Sequence, residues 1–470
     1  MAFWDLAHAD VALVEDGATG RRALYYDELA VAADAIARAL PAPDGGKSLG
    51  FLLFRSTLDC VATYLAALRS GHALALLTPH QAPGALEALV ARYQPEWIAG
   101  DAIGHLGGYT RLDAAAAPEL RVRDEATPSD SPLHPDTALL LSTSGSTGSP
   151  KMVRLSYRAL DANATAIGEY LGLDARERAI TTMPLSYSYG LSVLNSHLHA
   201  GARTLLTEVP IIGRPFWDFF AAEEASSLAG VPYIYQMLQR LRPARMALPS
   251  LRTLTQAGGH LAEPIKREFA QLAAERGWRF FAMYGQTEAT ARIAYVPSEQ
   301  ALAKLGAIGI AVPGGALGID PENGELCYRG GNVMMGYAES RADLAQGDVL
   351  GGVLRTGDLA RQDEDGYFYV TGRLKRIAKV FGNRVSLDEV EQLLEARLGL
   401  DAVALDAGDR LLIVSERDAR EDVVALLRTQ LDLHPSGFQT RCVPSLPRLP
   451  SGKKDYARLQ ADLNRMLDTQ

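Results

Sequence analysis

The sequence predicts an α/β protein: a large N-terminal domain of helix-covered sheets with a β-rich subdomain, followed by a small α+β C-terminal domain on a hinge. Three changes along the chain predict this architecture. Short apolar runs alternate with helical patterns at first, glycine and β-forming residues dominate from 306, and the pattern changes again after Gly372. Strands alternating with helices indicate a parallel sheet covered by helices. A chain of 470 residues also exceeds the usual size of one domain.

The first part of the chain alternates between helical patterns and short apolar runs. Residues 26–40 place Leu29, Ala33, Ile36 and Leu40 on one face of a helix. Further helices are predicted over 57–69 and near 83–92. Apolar runs of strand length predict buried strands at 48–54, 73–77 and 96–100.

A polar, proline-rich segment at 123–136 predicts a surface connection. In the β-rich part, Asn323 and Gly324 are a turn signal for a hairpin, and residues 363–372 indicate a second one. Between these regions the alternation resumes, with strand candidates at 137–142, 179–183, 203–207, 251–255 and 279–284.

The C-terminal region begins with a helix signal, because Ser386 and Glu389 have the spacing of a capping box. A strand at 410–416, a helix at 420–431 and a strand at 439–443 complete a small α+β unit. The predicted organisation is an N-terminal domain 1–372 with its β-rich part at about 306–372, a hinge at 373–376 and a mobile C-terminal domain 377–470.

Composition and charge exclude several classes of protein. The net charge is -9 and both signs are interspersed, without the basic face or arm that holds nucleic acid. The N-terminus lacks the basic and apolar segments of a secretory signal, and runs such as 73–77 are too short to span a membrane. Cys60, Cys327 and Cys442 have no metal-ligand spacing, which favours a reducing, cytoplasmic environment.

A loop of glycines and hydroxyl residues, "STSGSTGSPK" at 142–151, follows the predicted buried strand 137–142. Glycines let backbone N–H groups converge, hydroxyls donate hydrogen bonds and a lysine supplies charge, as in phosphate-binding loops. The spacing of Gly145, Gly148 and Lys151 differs from that of a Walker A loop, so a Walker-type NTPase is not predicted. A flexible surface linker is the alternative, although linkers rarely follow a buried strand.

Five further segments follow this loop in a fixed order: "YGQTEAT" (284–290), "GELCYRGGNVMMGY" (324–337), "RTGDLA" (355–360), "GRLKRIAKVFGNRVSLDEVE" (372–391) and "LPRLPSGKKD" (446–455). Together the six segments resemble the motifs of the adenylate-forming superfamily: acyl-CoA synthetases, adenylation domains of nonribosomal peptide synthesis and luciferases. The resemblance covers nearly the whole chain. It implies that a carboxylate attacks the α-phosphate of ATP to give an acyl-adenylate and pyrophosphate, after which a thiol takes the acyl group.

The resemblance also implies which residues bind ATP. Glu288 would act in catalysis by helping to hold Mg²⁺, which prefers a carboxylate together with phosphate oxygens. Tyr284 would stack on adenine and Asp358 would accept hydrogen bonds from the ribose hydroxyls; outside these motifs, a solvated acid and a core aromatic would explain Glu288 and Tyr284. The residues implied for the β- and γ-phosphates are Thr143, Ser144, Gly145, Ser146, Thr147, Gly148 and Lys151. Those implied for adenine and ribose are Gly258, Gly259, His260, Tyr284, Gly285, Gln286, Thr287, Asp358 and Arg373.

Lys453, in the last of these motifs, is the expected principal catalytic residue. Its ammonium would offset the repulsion between the attacking carboxylate and the α-phosphate, whereas Lys454 is expected to be a solvated charge. Lys375 matches the hinge position of the family, where rotation of the small domain would withdraw Lys453 and open a channel for the thiol. A basic cluster either meets the phosphates of coenzyme A or of a carrier's pantetheine arm, or is a solvated domain edge: Arg373, Lys375, Arg376, Lys379 and Arg384.

The segment "MPLSYSYGLS" (183–192) bears on the acid substrate. Many relatives have a histidine in place of Tyr187, and amino-acid-activating relatives have an aspartate in place of Ser188 that pairs with an α-ammonium. Serine cannot neutralise that charge, so the expected acid lacks an α-ammonium, whether it is fatty, aryl or a small hydroxy or oxo acid. The pocket would be lined by Tyr187, Ser188, Tyr189, Val231, Tyr233 and Tyr235, although packing alone would also explain these side chains.

The leading interpretation is an AMP-forming acid–thiol ligase of the acyl-CoA synthetase or acyl-carrier-protein ligase type. It would use ATP, Mg²⁺ and a small-molecule carboxylic acid. The acceptor would be coenzyme A or the phosphopantetheine of a separate acyl or peptidyl carrier protein, since the sequence contains no recognisable carrier domain. Two alternatives stay open: an enzyme that passes the acyl group to an amine, and a catalytically idle homologue that binds nucleotide.

Overall fold

The computed structural model describes residues 2–17, 20–42, 46–79, 84–101, 103–112, 118–124, 132–142, 151–374, 376–380, 383–408, 410–431, 434–449, 453–463 and 466. The helices are α1 (Tyr26–Ala37), α2 (Leu58–Arg69), α3 (Ala85–Tyr93), α4 (Tyr157–Leu171), α5 (Ser188–His199), α6 (Arg214–Ala222), α7 (Pro232–Leu241), α8 (Glu263–Arg276), α9 (Leu387–Leu398), α10 (Arg420–Gln430) and α11 (Tyr456–Ala461). In this part of the chain, no helix combines the length and the apolar character needed to cross a bilayer.

The strands are β1 (Val11–Gly17), β2 (Gly20–Tyr25), β3 (Leu49–Leu53), β4 (Ala73–Leu77), β5 (Trp97–Ala99), β6 (Tyr109–Leu112), β7 (Leu120–Arg123), β8 (Thr137–Ser142), β9 (Met152–Ser156), β10 (Arg178–Ile180), β11 (Arg203–Leu206), β12 (Ser227–Gly230), β13 (Thr253–Gln256), β14 (Arg279–Tyr284), β15 (Ala294–Val296), β16 (Ile310–Ala311), β17 (Ala316–Ile319), β18 (Glu325–Arg329), β19 (Gly336–Ala338), β20 (Val353–Gln362), β21 (Phe368–Arg373), β22 (Ile377–Val380), β23 (Asn383–Ser386), β24 (Ala402–Asp406), β25 (Leu411–Ser415) and β26 (Phe438–Cys442). Five of the predicted strands coincide closely with β3, β4, β8, β11 and β14.

A nine-stranded sheet carries the strands that lead to the candidate site, in the order β16-β15-β14-β13-β12-β10-β11-β1-β2. Its central strands β1 and β10 to β14 are parallel, as predicted from the alternation with helices. The edge strands β2, β15 and β16 are antiparallel. The prediction of a parallel sheet covered by helices is thus confirmed for the central strands, whereas the antiparallel edge strands are short and contain no apolar run that would distinguish them in the sequence.

An eight-stranded sheet has the order β19-β9-β8-β4-β3-β5-β7-β6 and is likewise parallel at its centre. Every residue of β3 and β4 is buried. Burial on both faces is expected of a parallel sheet that lies between helices. This explains why these strands are continuous apolar runs in the sequence.

One hydrophobic core joins the two large sheets. It contains Leu52 and Leu139 from the eight-stranded sheet and Leu206 from the nine-stranded sheet, with Leu65 of α2 and Leu194 of α5 between them. The Oγ1 atom of Thr57 accepts a hydrogen bond from the backbone N–H of Cys60 and so caps α2. Helix α5 begins at Ser188, shortly after the end of β10 and within the segment "MPLSYSYGLS".

The β-rich region is a four-stranded antiparallel sheet in the order β17-β18-β20-β21. The predicted hairpin at Asn323 and Gly324 is confirmed, since β17 and β18 pair antiparallel and Gly324 has a φ of 77°. The second predicted hairpin is confirmed as β20 and β21. Its register sets Asp358 opposite Arg373.

The C-terminal region contains a hairpin of β22 and β23, and a three-stranded sheet in the order β24-β25-β26. The N-cap half of the predicted capping box is confirmed, because Oγ of Ser386 accepts a hydrogen bond of 3.3 Å from the N–H of Glu389. The sequence does not predict β22, β23 or β24. The fold is thus a large N-terminal α/β region with a smaller C-terminal α+β region.

Candidate nucleotide and acid site

The candidate site lies where three parallel strands end. Val231 directly follows β12, residues 258–260 follow β13 shortly after its end, and residues 284–287 begin at the end of β14. Because β12, β13 and β14 are parallel neighbours, their carboxyl ends meet at one edge of the sheet. Ligands of open α/β sheets bind at such an edge. The fold therefore brings together segments that are far apart in the sequence.

Two glycines let the backbone come close to other groups at this edge. Gly258 has a φ of 81°, and a Cβ atom there would lie 2.7 Å from the hydroxyl oxygen of Tyr187 and 2.9 Å from Cγ1 of Val231. At Gly285, a Cβ atom would lie 1.9 Å from the carbonyl oxygen of Ala291. No larger residue fits at either position without displacement of its neighbours.

A first polar cluster, the Asp358 corner, joins β14 to β20 and β21. Oδ1 of Asp358 accepts a hydrogen bond of 3.0 Å from Nε of Arg373, and Oδ2 accepts one from the hydroxyl of Tyr284. Burial, with the charge of Asp358, raises the pKa of Tyr284 well above its usual value, so the hydroxyl stays a donor. Nε2 of Gln286 donates to the carbonyl of Thr356 at 3.4 Å. The carboxylate is thus held in a fixed orientation.

A second cluster, the Glu288 corner, comprises Glu288, Tyr337, Lys151 and Glu339. The hydroxyl of Tyr337 donates a 2.8 Å hydrogen bond to Oε1 of Glu288. Nζ of Lys151 lies 3.3 Å from Oε1 of Glu339 and 5.5 Å from the centroid of the Tyr337 ring. Glu288 is half-exposed, and Mg²⁺ binds a carboxylate together with the phosphate oxygens of a substrate. The carboxylate of Glu288 can therefore serve as a ligand of Mg²⁺.

The remaining expected phosphate ligands, residues 143–148, lie outside the described residues. The two strands that flank them are described. Ser142 at the end of β8 pairs with Met152 at the start of β9. Strand β9 also pairs with β19, which contains Tyr337. Lys151, at one end of the segment, is therefore next to the Glu288 corner.

Lys453 reaches the site from the C-terminal region. Its Nζ atom lies 5.9 Å from the centroid of the Tyr187 ring. The expectation that Lys454 is a solvated charge is wrong: its Nζ lies 2.7 Å from Oδ1 of Asp401 and donates to the carbonyl of Ala402 at 2.7 Å. Its side chain is only 19% exposed. Lys454 thus ties the segment that carries Lys453 to β24.

The expected hinge residue Lys375 lies outside the described residues, as do the side chains of Lys379 and Arg384. Arg376 and Arg373 are described, and both bind carboxylates. Arg376 pairs with Glu391 at 2.6 Å and with Asp388, and its guanidinium carbon lies 4.1 Å from the centroid of the Tyr456 ring. These two arginines therefore belong to internal ion pairs, which neither of the two interpretations of the basic cluster anticipated.

His260 faces the C-terminal region. Its Nε2 atom lies 3.6 Å from Oε2 of Glu395 on α9, and both side chains are partly exposed. The backbone of residues 258–260 remains at the sheet edge. The imidazole is thus part of a contact between the two regions of the molecule.

The expected acid-pocket residues divide into three groups. Tyr187 and Ser188 lie at the sheet edge, where Oγ of Ser188 is 3.2 Å from Oγ1 of Thr287. Tyr189 is buried, and its hydroxyl donates a 2.9 Å hydrogen bond to the carbonyl of Thr255. Tyr235 is packed edge-on against Phe269 and Phe280, with ring centroids 4.8 and 5.8 Å away, which favours core packing; Tyr233 is exposed.

Two residues that the motifs do not single out belong to this neighbourhood. Tyr337 is the last residue of the segment 324–337, and its position in this motif is the signal by which the sequence could have pointed to it. Arg292 lies shortly after the segment 284–290 and lines a cavity below the sheet edge. Its burial comes from tertiary packing and has no signal in the sequence.

Comparison with known proteins shows the family and the fold of this chain. The family described as AMP-binding enzyme matches residues 6–338. The chain is 30% identical over 373 residues to a sulfoacetate–CoA ligase of Cupriavidus necator, covering 74% of this chain and 72% of that protein. It is 29% identical over 365 residues to a feruloyl-CoA synthase of an Amycolatopsis species, covering 73% of each. The structure of o-succinylbenzoate CoA synthetase from Bacillus subtilis with its acyl-adenylate intermediate shares the fold, with a TM-score of 0.78, 20% identity and 98% coverage of both chains.

Proposed function

The chain belongs to the family of AMP-binding enzymes, and from that premise we propose that it joins a carboxylic acid to coenzyme A through an acyl-adenylate. It is an AMP-forming acid–thiol ligase that uses ATP and Mg²⁺. The observation that carries the assignment is the convergence of three features at one sheet edge. They are the Asp358 corner, the Glu288 corner, and Lys453 above the ring of Tyr187.

The nucleotide binds along this edge. The Asp358 carboxylate accepts hydrogen bonds from the two ribose hydroxyls, for which its oxygens have lone pairs beyond those used by Tyr284 and Arg373. Adenine lies against the ring of Tyr284, close to the backbone of 258–260. The loop of residues 143–148 and the ammonium of Lys151 bind the β- and γ-phosphates.

Glu288 is the protein ligand for Mg²⁺. The hydroxyl of Tyr337 orients its carboxylate. When bound, Mg²⁺ supplies charge neutralisation to the phosphate oxygens. Lys151 adds a second positive charge next to it, and Glu339 holds that ammonium in place. The Glu288 corner thus lowers the repulsion that the triphosphate presents to an attacking anion.

Lys453 acts on the reacting atoms of the adenylation step. The ammonium lies at the sheet edge next to Tyr187, and its neighbour Lys454 anchors the segment to Asp401. There it donates to the attacking carboxylate and to the α-phosphate oxygens, whose negative charges approach each other in the transition state. The oxygen of the carboxylate bonds to phosphorus, and pyrophosphate leaves with the electron pair of the broken P–O bond.

The thiol step requires Lys453 to leave. We infer that the C-terminal domain, 377–470, rotates about the hinge at 373–376. The contact between His260 and Glu395 breaks in that movement at small cost, because burial lowers the pKa of His260 to about 4 and the neutral imidazole forms no ion pair with Glu395. The thiol then attacks the acyl carbon and AMP leaves.

The acid lacks an α-ammonium. Ser188 stands where amino-acid-activating relatives have an aspartate, and its hydroxyl, 3.2 Å from that of Thr287, carries no negative charge. An unpaired buried ammonium costs several kcal/mol. Neither sulfoacetate nor a feruloyl group, named for the two relatives, carries an amine.

The acceptor is coenzyme A, as the names of both relatives suggest. Transfer to the pantetheine arm of a separate carrier protein is the second candidate, and it uses the same thiol chemistry. We also assign the enzyme to the cytoplasm, because Cys60, Cys327 and Cys442 are free thiols.

A panel of carboxylic acids tests the proposal. The purified full-length chain is incubated with ATP, Mg²⁺ and each acid, with and without coenzyme A, and pyrophosphate, AMP and acyl-CoA are measured. We expect acid-dependent pyrophosphate release, and acyl-CoA with equimolar AMP when the thiol is present. Release of ADP and phosphate would rule the proposal out, whereas pyrophosphate without acyl-CoA would favour a carrier protein or an amine as the acceptor.

A further inference from the structure

A small cavity lies directly below the sheet edge that carries the site. Its volume is about 20 Å³, and its walls come from α4, α5 and the strands β12, β13 and β14. Tyr170, Tyr189, His197, Thr255, Met283 and Arg292 are among the lining residues. Tyr189, which lines it, directly follows the sheet-edge residues Tyr187 and Ser188 at the start of α5. The cavity is therefore placed to receive the far end of an acid whose carboxylate lies near Lys453.

Arg292 has an unusual environment for a buried arginine. It is 3% exposed, and its guanidinium carbon lies 4.0 Å from the centroid of the Tyr189 ring. Nη1 donates to the carbonyl of Ala291 at 3.2 Å, while Nε has no hydrogen-bond partner among the described residues. Burial raises the pKa of Tyr170, and the charge of the neighbouring Arg292 and a side-chain hydrogen bond with it oppose that shift.

The other buried arginines differ in this respect. Arg341 forms an ion pair with Glu96, with Nη2 and Oε1 2.8 Å apart. Arg154 donates to several backbone carbonyls, among them those of Tyr337 and Met335. Within the described part of the chain, Arg292 has neither a carboxylate partner nor such a set of carbonyls.

The rest of the cavity wall offers no counter-charge. Nδ1 of His197 lies 2.8 Å from the carbonyl oxygen of Val193, so Nδ1 carries the proton and donates to it. Nε2 then accepts from the hydroxyl of Ser227, 3.4 Å away. Burial lowers the pKa of His197, which keeps the ring neutral. Arg292 is thus the one permanently charged residue that lines the cavity among the described residues.

A buried guanidinium without a counter-charge costs free energy that an anionic ligand can recover. We propose that Arg292 binds a second anionic group, a carboxylate or a sulfonate, at the far end of a short acid substrate. The proposal rests on the proposed function, because it places the reacting carboxylate of the same molecule at Lys453. The volume is too small for a long alkyl chain or a ring system, so only a compact end group could enter it.

Pairs of acids that differ only in the second charge test this assignment. They are succinate with monomethyl succinate, malonate with monomethyl malonate, and sulfoacetate with methylsulfonylacetate. The kcat/KM of acid-dependent pyrophosphate release is measured for each with wild-type enzyme. We expect the dianion of at least one pair to be preferred by about 100-fold, as for other buried charge pairs that lose one partner.

Two variants show whether Arg292 carries the preference. Arg292→Gln should abolish it by lowering the rate with the dianion while the rate with the neutral partner and the KM for ATP stay unchanged; Arg292→Lys should retain part of it. Arg176→Gln, at an exposed surface arginine, serves as the handling control. A merely structural role would lower both rates together and leave their ratio unchanged.

The outcomes separate the two proposals. If wild-type enzyme uses the neutral member of every pair as well as the dianion, or uses only long-chain or aryl acids, the role of Arg292 is wrong while the ligase assignment stands. If no acid of any kind releases pyrophosphate, the proposed function fails as well. Should Arg292→Gln not fold, the wild-type ratios and Arg292→Lys still decide the question.

Discussion

The two ends of the site treat charge in opposite ways. At the nucleotide end, each charged side chain has a partner in the protein: Asp358 has Arg373, Lys151 has Glu339, and Glu288 accepts from Tyr337. At the acid end, Arg292 lies in a cavity without a counter-charge among the described residues. We infer from this difference that the nucleotide end is preorganised for its ligand, ATP. The acid end is completed by the substrate itself.

Exposure explains why both arrangements are tolerated. Arg373 and Lys151 are partly exposed, so water shares in stabilising them and the ion pairs mainly fix orientation. Arg292 has almost no access to water. A charge left alone there destabilises the free enzyme, and the same free energy becomes affinity for the one class of ligand that neutralises it. We therefore expect substitutions at the nucleotide end to weaken the binding of ATP. Substitution of Arg292 at the acid end should instead remove the preference for a dianionic acid.

The largest expected effect is at Lys453, which lies between the two ends. Lys453→Ala should lower adenylation by about 1,000-fold, the upper range for loss of one donor to a transition-state charge. The loss should be equal for dianionic and neutral acids, because Lys453 acts at the reacting carboxylate and not at the far end. Pyrophosphate release with both members of an acid pair measures this.

The second half-reaction supplies the control for Lys453→Ala. Formation of acyl-CoA from supplied acyl-adenylate should stay within a few-fold of wild type, since the ammonium withdraws before the thiol attacks. An equal loss in both half-reactions would contradict the assigned role. A loss confined to dianionic acids would instead assign Lys453 to the acid end of the site.

The same contrast decides what the sequence can predict. Asp358, Glu288 and Lys453 can be proposed from the sequence because they lie in segments that resemble motifs of the family. Arg292 is marked only by burial and by the absence of a counter-charge, and both arise from packing between elements distant in the chain. The prediction that Lys454 is a solvated charge is wrong for the same reason, since its partner Asp401 is distant in the sequence.

The fold divides in a similar way. Strands buried on both faces, such as β3 and β4, are continuous apolar runs and are predicted closely. The hairpin at Asn323 and Gly324 is predicted because a two-residue turn signal is local. Edge strands such as β15 and β16 form by pairing with a neighbouring strand. They contain neither an apolar run nor a turn signal that would predict them. The sequence thus predicts elements that have a local pattern, but it does not predict which distant segments pair with each other.

The next effect in size concerns the Asp358 corner. Asp358→Asn should lower kcat/KM for ATP by about 10- to 100-fold, the range for lost hydrogen bonds to a charged acceptor. The ranking of acids should not change, because the substitution lies at the nucleotide end. Steady-state kinetics with varied ATP at saturating acid, repeated for a dianionic and a neutral acid, measures both quantities. A changed acid ranking would mean that the two ends are coupled and that the comparison is too simple.

The smallest effect is expected at Tyr337, which contacts Glu288 through one hydrogen bond of 2.8 Å. Tyr337→Phe should raise the Mg²⁺ concentration for half-maximal rate by about 3- to 10-fold, the value of one net hydrogen bond. Burial, with the charge of Glu288, raises the pKa of the Tyr337 hydroxyl, so the effect should be constant across neutral pH.

Tyr369→Phe is the matched control for Tyr337→Phe. The hydroxyl of Tyr369 donates a 2.9 Å hydrogen bond to Asp363, away from the Glu288 corner. Its loss should lower the Tm slightly and leave the Mg²⁺ dependence unchanged. If both variants shift the Mg²⁺ dependence equally, the shift comes from lower stability. The hydrogen bond from Tyr337 would then not explain how Glu288 is oriented for Mg²⁺. A shift with Tyr337→Phe alone, without any change in acid ranking, would sharpen the separation between a preorganised nucleotide end and an acid end that the substrate completes.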